Sequence, residues 1–282
     1  MAKILQKSAM LGEDARHQQL IKNGILTPAG FDDHFNVRGY TTSADLAPFV
    51  SHYWVMRWQV PEGKQFHPVE VLSQPVAHVF ITATDASVYS VINGMFDYEA
   101  SGTGAIAGIT FRPGGFRTFL GRSMDTLTGE RVPLSAVFPE SAALVEADIL
   151  SQQDEHIVAA LEKILRTKPL REDPNVALMG AIVDAILADE TLSTVEAVAK
   201  RFHKSERMVQ HLFKSYIGVG VKWVIIRTRL LEAIKQAYAA GHPDWATITA
   251  DLGYSSQAHF INDFKRVVGT SPAQFMKTIK QG

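Results

Sequence analysis

The chain of 282 residues contains no cysteine. Disulfides, thiolate metal sites and cysteine nucleophiles are therefore excluded, and a reducing compartment fits. No apolar run is long enough to cross a bilayer, and no basic-apolar-small pattern marks the N-terminus; the expected location is the cytoplasm. Net charge is also nearly absent, at −1.

That small total hides an asymmetry. Residues 195–282 hold 13 Lys and Arg against 6 Asp and Glu, a net of +7, whereas the remainder carries −8. A basic segment attracts the phosphate backbone and gains affinity by releasing counterions, so nucleic acid is the partner this imbalance suggests. Uneven charge between domains also occurs with no such partner. At 46% hydrophobic, a chain of this length has enough apolar residues for two cores.

Three zones follow along the chain. From Phe49 to Arg112, short β-favouring runs such as FVSHYWVMRWQV, VAHVFITAT and AIAGITFR alternate with turn residues, predicting a small antiparallel sandwich or barrel. Residues 141–166 place apolar side chains at helical spacing with a break near Ser151-Gln-Gln-Asp, which predicts two helices or one kinked one. Thr167–Asn175, with two prolines and four charges, has the composition of an exposed linker. From Val176 onward the pattern is helical. The expected domains are a sensor over 1–140, connector helices and linker over 141–175, and a helical domain over 176–282.

Within the helical zone a grammar is repeated: helix end, short polar turn, Ser cap, amphipathic second helix, then Gly. It is the layout of a helix-turn-helix. In the first unit Val195, Val198, Ala199 and Phe202 form the buried stripe of a positioning helix over about Thr194 to Arg201, and Ser205 caps the next helix. Val209, Leu212 and Phe213 face inward there, which leaves Arg207, Gln210, His211 and Lys214 outward as candidates for groove and phosphate contacts. In the second unit Ile248, Ala250 and Leu252 pack the first helix, Gly253 makes the turn, Tyr254 plugs the corner and Ser255 or Ser256 caps the reader. Phe260, Phe264 and Val267 face inward, while Gln257, Ala258, Ile261, Asn262 and Lys265 face outward. Gln257 and Asn262 suit bidentate pairing with adenine, and Ala258 and Ile261 suit a thymine methyl. A polar stripe on a short helix is equally what a solvated face looks like. Between the units a long helix over Trp223 to Tyr238, with Val224, Ile225, Thr228, Leu231, Ile234 and Lys235 on a broad buried face, would space the two readers by about 34 Å, one turn of DNA.

These residues resemble the paired helix-turn-helix domain of AraC/XylS-type transcription regulators. The resemblance rests on Ala199, Ser205, Leu212-Phe213-Lys214, Gly218, Arg229-Leu230 with Ala233, then Leu252-Gly253-Tyr254, His259-Phe260, Phe264-Lys265-Arg266, Gly269 and Ser271-Pro272. By the same resemblance the base-reading positions fall on Arg207, Gln210 and His211 in the first unit, and on Gln257, Ala258, Ile261 and Asn262 in the second. The family often has arginine where His211 and Asn262 stand, so a guanine reader is replaced at both and the target sequence leans towards AT. The family's usual Ser-Pro after the first unit is Gly220-Val221 here.

More loosely, the N-terminal zone is similar to the cupin-like sensor domains of that family, the runs GITFRPGGFRTFLG and LTGERVPLSAVF carrying the likeness. Arg112-Pro-Gly-Gly ends a strand and opens a short helix with Phe116 and Phe119 inward, either as a structural corner or beside a ligand. Trp54, Trp58, Phe80 and Tyr89, with Met56 and Phe111, either line an apolar ligand cavity or fill a core. Cupin barrels often carry a histidine-carboxylate cluster, and His52, His67, Glu70 and His78 are the residues available. No two of these histidines have the alternate spacing that puts both on one face of one strand, which argues against a metal-dependent cupin enzyme with an appended DNA-binding domain, the rival reading. A methyl-acceptor DNA-repair regulator is removed by the missing thiolate.

The sequence thus predicts an α+β two-domain chain, with an N-terminal cupin-like barrel or sandwich, connector helices, and a C-terminal all-α double helix-turn-helix. Its expected role is a non-catalytic transcription regulator, an activator or a repressor, without cofactor or metal. The expected partners are double-stranded promoter DNA, RNA polymerase and a small apolar effector. The apolar excess over Ala142–Leu165 predicts a homodimer built on this connector, the competing outcome being packing within one chain.

Overall fold

A computed structural model describes residues 25–26, 34–61, 70–92, 95–96, 100–240 and 243–281. The β-rich half contains β1 (Ile25–Leu26), β2 (Phe35–Tyr40), β3 (Val50–Gln59), β4 (Glu70–Leu72), β5 (His78–Ile81), β6 (Ala86–Tyr89), β7 (Met95–Phe96), β8 (Thr103–Phe111) and β9 (Arg131–Pro133). Six of these form one antiparallel sheet in the order β2-β3-β8-β5-β6-β9, and β1-β4-β7 form a separate sheet of three.

The large sheet is open, which corrects the cupin-like barrel or sandwich that the sequence predicts. Its edges are β2 and β9, and they do not pair with each other. β9 is three residues long and meets β6 through Pro133, which has no N–H to extend a ladder. One face is covered by helices. Tyr53, Val55, Val79, Ile81, Val88, Ala107, Ile109 and Phe111 pack there with Phe116, Phe119, Leu127, Phe138, Leu150, Ile157 and Leu161. Alternation in the strands signals that a face is buried, and says nothing of whether a second sheet or a helix buries it.

The helices of that layer are α1 (Arg117–Leu120), α2 (Ala142–Glu146) and α3 (Asp154–Leu165), the break before α3 falling at the expected place. α3 is bound to the sheet by Arg57, which donates to Asp154 at 2.8 Å and to the carbonyls of Leu150 and Gln152, and by Tyr40, which donates to Asp154. Leu144, Ile157, Leu161, Ile164 and Leu165 are all buried in this core. The apolar surplus behind the dimer expectation is therefore covered, for these residues, by the chain's own sheet.

The opposite face is aromatic. Phe35, Met56, Trp58, Val60, Ala100 and Ile106 are buried there, with Val37, Trp54 and Phe80 beside them. Two glycines of β8 let the indoles lie on the backbone: a Cβ at Gly104 would stand 2.2 Å from the Trp58 ring, and one at Gly108 2.3 Å from Trp54.

The helical half contains α4 (Pro174–Ala188), α5 (Val195–Arg201), α6 (Glu206–Tyr216), α7 (Val221–Ala240), α8 (Trp245–Asp251), α9 (Gln257–Val268) and α10 (Pro272–Gln281). It has two cores. Val198, Val209, Leu212 and Phe213 gather with α4 in the first, and Ile248, Phe260, Phe264, Val267 and Phe275 form the second. α7 serves both, giving Val221, Val224 and Ile225 to the first and Leu230, Ile234 and Ala237 to the second. At about 1.5 Å per residue its 20 residues span about 30 Å. Lys235, expected on its buried face, is exposed and pairs with Glu232 at 3.1 Å.

Candidate nucleic-acid interface

The second helices of the two units, α6 and α9, are built alike. Ser205 accepts from the N–H of Met208 and thereby caps α6; Ser256 accepts from the N–H of His259 and caps α9, both at 3.2 Å. Thr194 caps α5 and Asp244 caps α8 in the same manner. Each turn needs one left-handed residue, and Gly253 takes it at φ +71° while His203 takes it at +52°. The positive φ of a non-glycine residue is the reason the first turn is harder to recognise from sequence.

Counted from the caps, the same positions are exposed in both helices. Two, six and nine residues after Ser205 lie Arg207, His211 and Lys214; the same offsets from Ser256 give Ala258, Asn262 and Lys265, and all six are exposed. Gln210 and Gln257 are exposed too, while Ile261 is half-buried against the second core. Met208 is an exposed large apolar side chain on α6 that sequence reasoning passed over, its spacing resembling the buried stripe.

The electrostatics of the helices differ. Among the described residues no acidic side chain pairs with Arg207, His211 or Lys214. In α9, Asp263 is 5% exposed and takes the charge of Arg266 at 2.7 Å, with His259 at 3.6 Å. Tyr254 closes the corner as expected, edge-on to Phe260 at 5.3 Å, with Arg229 over its ring at 5.8 Å. Burial pushes the Tyr254 hydroxyl up to about 12, so it stays neutral.

Trp54, Trp58, Phe80 and Tyr89 share one face of the large sheet. Phe80 meets Trp54 at 5.3 Å and Tyr89 at 4.9 Å, both edge-on, and Trp58 donates to the carbonyl of Ser101 at 3.2 Å. His52 and His78 lie on that face as well, on strands either side of Thr110. The sequence could not bring them together, because their adjacency is across strands. Burial lowers both, to about 4 for His52 and about 3 for His78, the latter also by the charges of His52 and Arg227. Among the described residues no group of three or more His, Cys, Asp or Glu is placed to hold a metal ion. His67 lies outside those residues. No helix among them is long and apolar enough to cross a membrane.

A cavity of about 800 Å³ opens between the halves, lined by Phe49, Thr110, Phe111, Val176, Val183 and Arg227 among others. Arg227, on α7, is 3% exposed and donates to the carbonyls of Ser73 and Leu72, with no carboxylate paired to it among the described residues. Burial lowers its guanidinium to about 9. A buried arginine held by neutral partners had no signal in the sequence.

Two family models match the chain. Residues 38–133 match a family described as a domain of unknown function (DUF6597), and residues 198–278 match one described as a helix-turn-helix domain. No curated protein sequence matches. Among solved structures, ToxT from Vibrio cholerae O395 overlaps at 12% identity and a TM-score of 0.40, covering 89% of this chain and 100% of that one. Unsaturated-fatty-acid-bound wild-type ToxT from Vibrio cholerae strain SCE256 overlaps at 11% identity and 0.39, over 88% and 97%. At that level of likeness no residue's role carries across. The helix-turn-helix match spans α6, α7, α8 and α9 in full, so both Ser-capped helices, α6 and α9, lie within the segment that is similar to that family.

Proposed function

We propose that α6 and α9 enter adjacent major grooves of promoter DNA and that α7 sets their separation, close to the ~34 Å repeat of one DNA turn. The observation that carries this is the shared register: exposed residues stand at the same offsets from Ser205 and Ser256. Arg207, Gln210 and His211 read bases in the first groove and Lys214 holds the phosphates. Gln257 and Asn262 pair with adenine, Ala258 and Ile261 meet thymine methyls, and Lys265 holds the backbone. RNA polymerase is the protein partner at the promoter. A homodimer would use a surface other than the buried side of α3.

A small effector with an apolar body acts on this arrangement. The junction cavity supports that reading, since it has open volume within the usual range for ligand sites. The face carrying Trp54, Trp58, Phe80 and Tyr89 is a second place for it, although these rings rest largely on one another.

Selection on randomised duplexes with the full-length chain tests the reader assignment. Asn262→Ala and Gln257→Ala should each relax base preference at one or two positions by about 1–3 kcal/mol, and Lys265→Ala should weaken every sequence alike. An unchanged preferred sequence for Asn262→Ala would remove it from the readers.

A further inference from the structure

The end of the first reading helix is gripped by the sensor. Arg117, the first residue of α1, donates from Nε to Ser215 Oγ at 3.1 Å and from Nη1 to the Tyr216 hydroxyl at 3.4 Å. Its guanidinium lies over the Tyr216 ring, 4.4 Å from the centroid, and 3.8 Å from Asp173. Asp173 accepts from the Tyr216 hydroxyl at 2.5 Å and from the N–H of Asn175, whose side chain donates to the same hydroxyl at 3.0 Å. Ser215 and Tyr216 are the last residues of α6. One network thus joins the sensor, the start of α4 and the reader.

Close backbone approaches remove slack from this seam. A Cβ at Gly114 would stand 3.2 Å from the Tyr216 side chain, and Thr128 Oγ1 donates to the Gly218 carbonyl at 2.8 Å just beyond α6. The grip is beside the reading face and not on it. Ser215 is one helical turn from His211, yet Arg207, Gln210, His211 and Lys214 all stay exposed with the network in place. Among the described residues nothing equivalent holds α9. Arg266 occupies the position of Ser215, is exposed, and pairs with Asp263 of its own helix.

We propose that Arg117 is a positioning residue for DNA recognition: through Tyr216 and Asp173 the sensor fixes the angle at which α6 meets its groove, and it leaves α9 alone. The state of the sensor therefore sets the contribution of the first unit relative to the second. This rests on the reading of α6 as a DNA reader, and the chemistry is a cation held between an aromatic face, a hydroxyl and a carboxylate, each sensitive to sub-ångström displacement.

The test is a double-mutant cycle on the full-length chain, using a duplex enriched from a random pool by the wild type. Arg207→Ala should cost about tenfold in affinity in the wild-type background and no more than about threefold in Arg117→Ala, where the helix is no longer held in register. Asn262→Ala on α9 should cost the same in both. Tyr216→Phe keeps the ring in the core while removing the hydroxyl, and it should also shrink the Arg207 effect; Arg117→Lys should restore part of it. An Arg207→Ala cost that is the same in all backgrounds overturns the proposal. If Arg207→Ala costs nothing in the wild type, the DNA reading of α6 fails and the proposal falls with it.

Discussion

Gly218→Ala places a single methyl group into the seam between the β-rich half and α6. Gly218 ends α6 at φ +99°, and its N–H donates to the carbonyls of Phe213 and Lys214. An alanine there takes a left-handed backbone at a cost of about 1–2 kcal/mol. Its Cβ would lie 2.6 Å from Thr128 Oγ1 and 3.1 Å from the Met124 carbonyl, an overlap worth about 1–3 kcal/mol. The expected destabilisation is thus about 3 kcal/mol. Thr128→Ala alone loses the hydrogen bond to Gly218 O, about 1 kcal/mol. It also removes the atom with which the new methyl collides. The double variant should therefore be less destabilised than the sum of the two singles by about 1–2 kcal/mol. Chemical denaturation of the four proteins, followed by circular dichroism, measures this. Strict additivity, or a Gly218→Ala cost below about 1 kcal/mol, would refute the tight seam.

Two further outcomes follow from the buried groups. His52 has its folded value lowered from 6.5 to about 4 by burial, so the unfolded chain binds the proton first on acidification. The stability it contributes is complete above pH ~6.5 and is lost as pH falls towards ~4, about 3 kcal/mol in all; His52→Gln should flatten stability against pH in that window, and an unchanged slope would contradict the burial argument. Leu161 is 1% exposed in the sheet–helix core, so Leu161→Asp should unfold the β-rich half at a cost above about 3 kcal/mol. Sedimentation of a folded variant that merely changes association state would show that α3 faces a partner instead.

The helical half was legible because its signals are local. Ser caps, a turn residue and apolar residues at a spacing of three and four residues define each unit within about twenty residues, and α5, α6 and α9 begin within a residue or two of the expected places. The open sheet was not legible, since closure depends on whether β2 and β9 meet, and they are more than ninety residues apart. The aromatic face was half legible. Trp54 and Trp58 stand four apart and so share one side of β3, whereas Gly104 and Gly108 receive their rings through strand register. Arg117, Tyr216 and Asp173 come from three distant segments, and only the folded chain brings them together. Lys235 shows the converse error, because a spacing of four from Leu231 put a solvated lysine on the buried side.

The central claim is that two helices read DNA at a fixed separation. Binding of the full-length chain to a duplex it has enriched, and to the same duplex with five base pairs inserted between the half-sites, tests this most directly. Half a turn of rotation moves one groove to the far side of the helix, so affinity should fall to that of a single half-site, while a ten-base-pair insertion moves one groove a full turn away, beyond the reach of α7's ~30 Å. The salt dependence should drop with it, the slope of log affinity against log salt losing about 0.9 for each phosphate contact given up. Equal affinity and equal salt slope on the original and the five-base-pair duplexes would contradict the account.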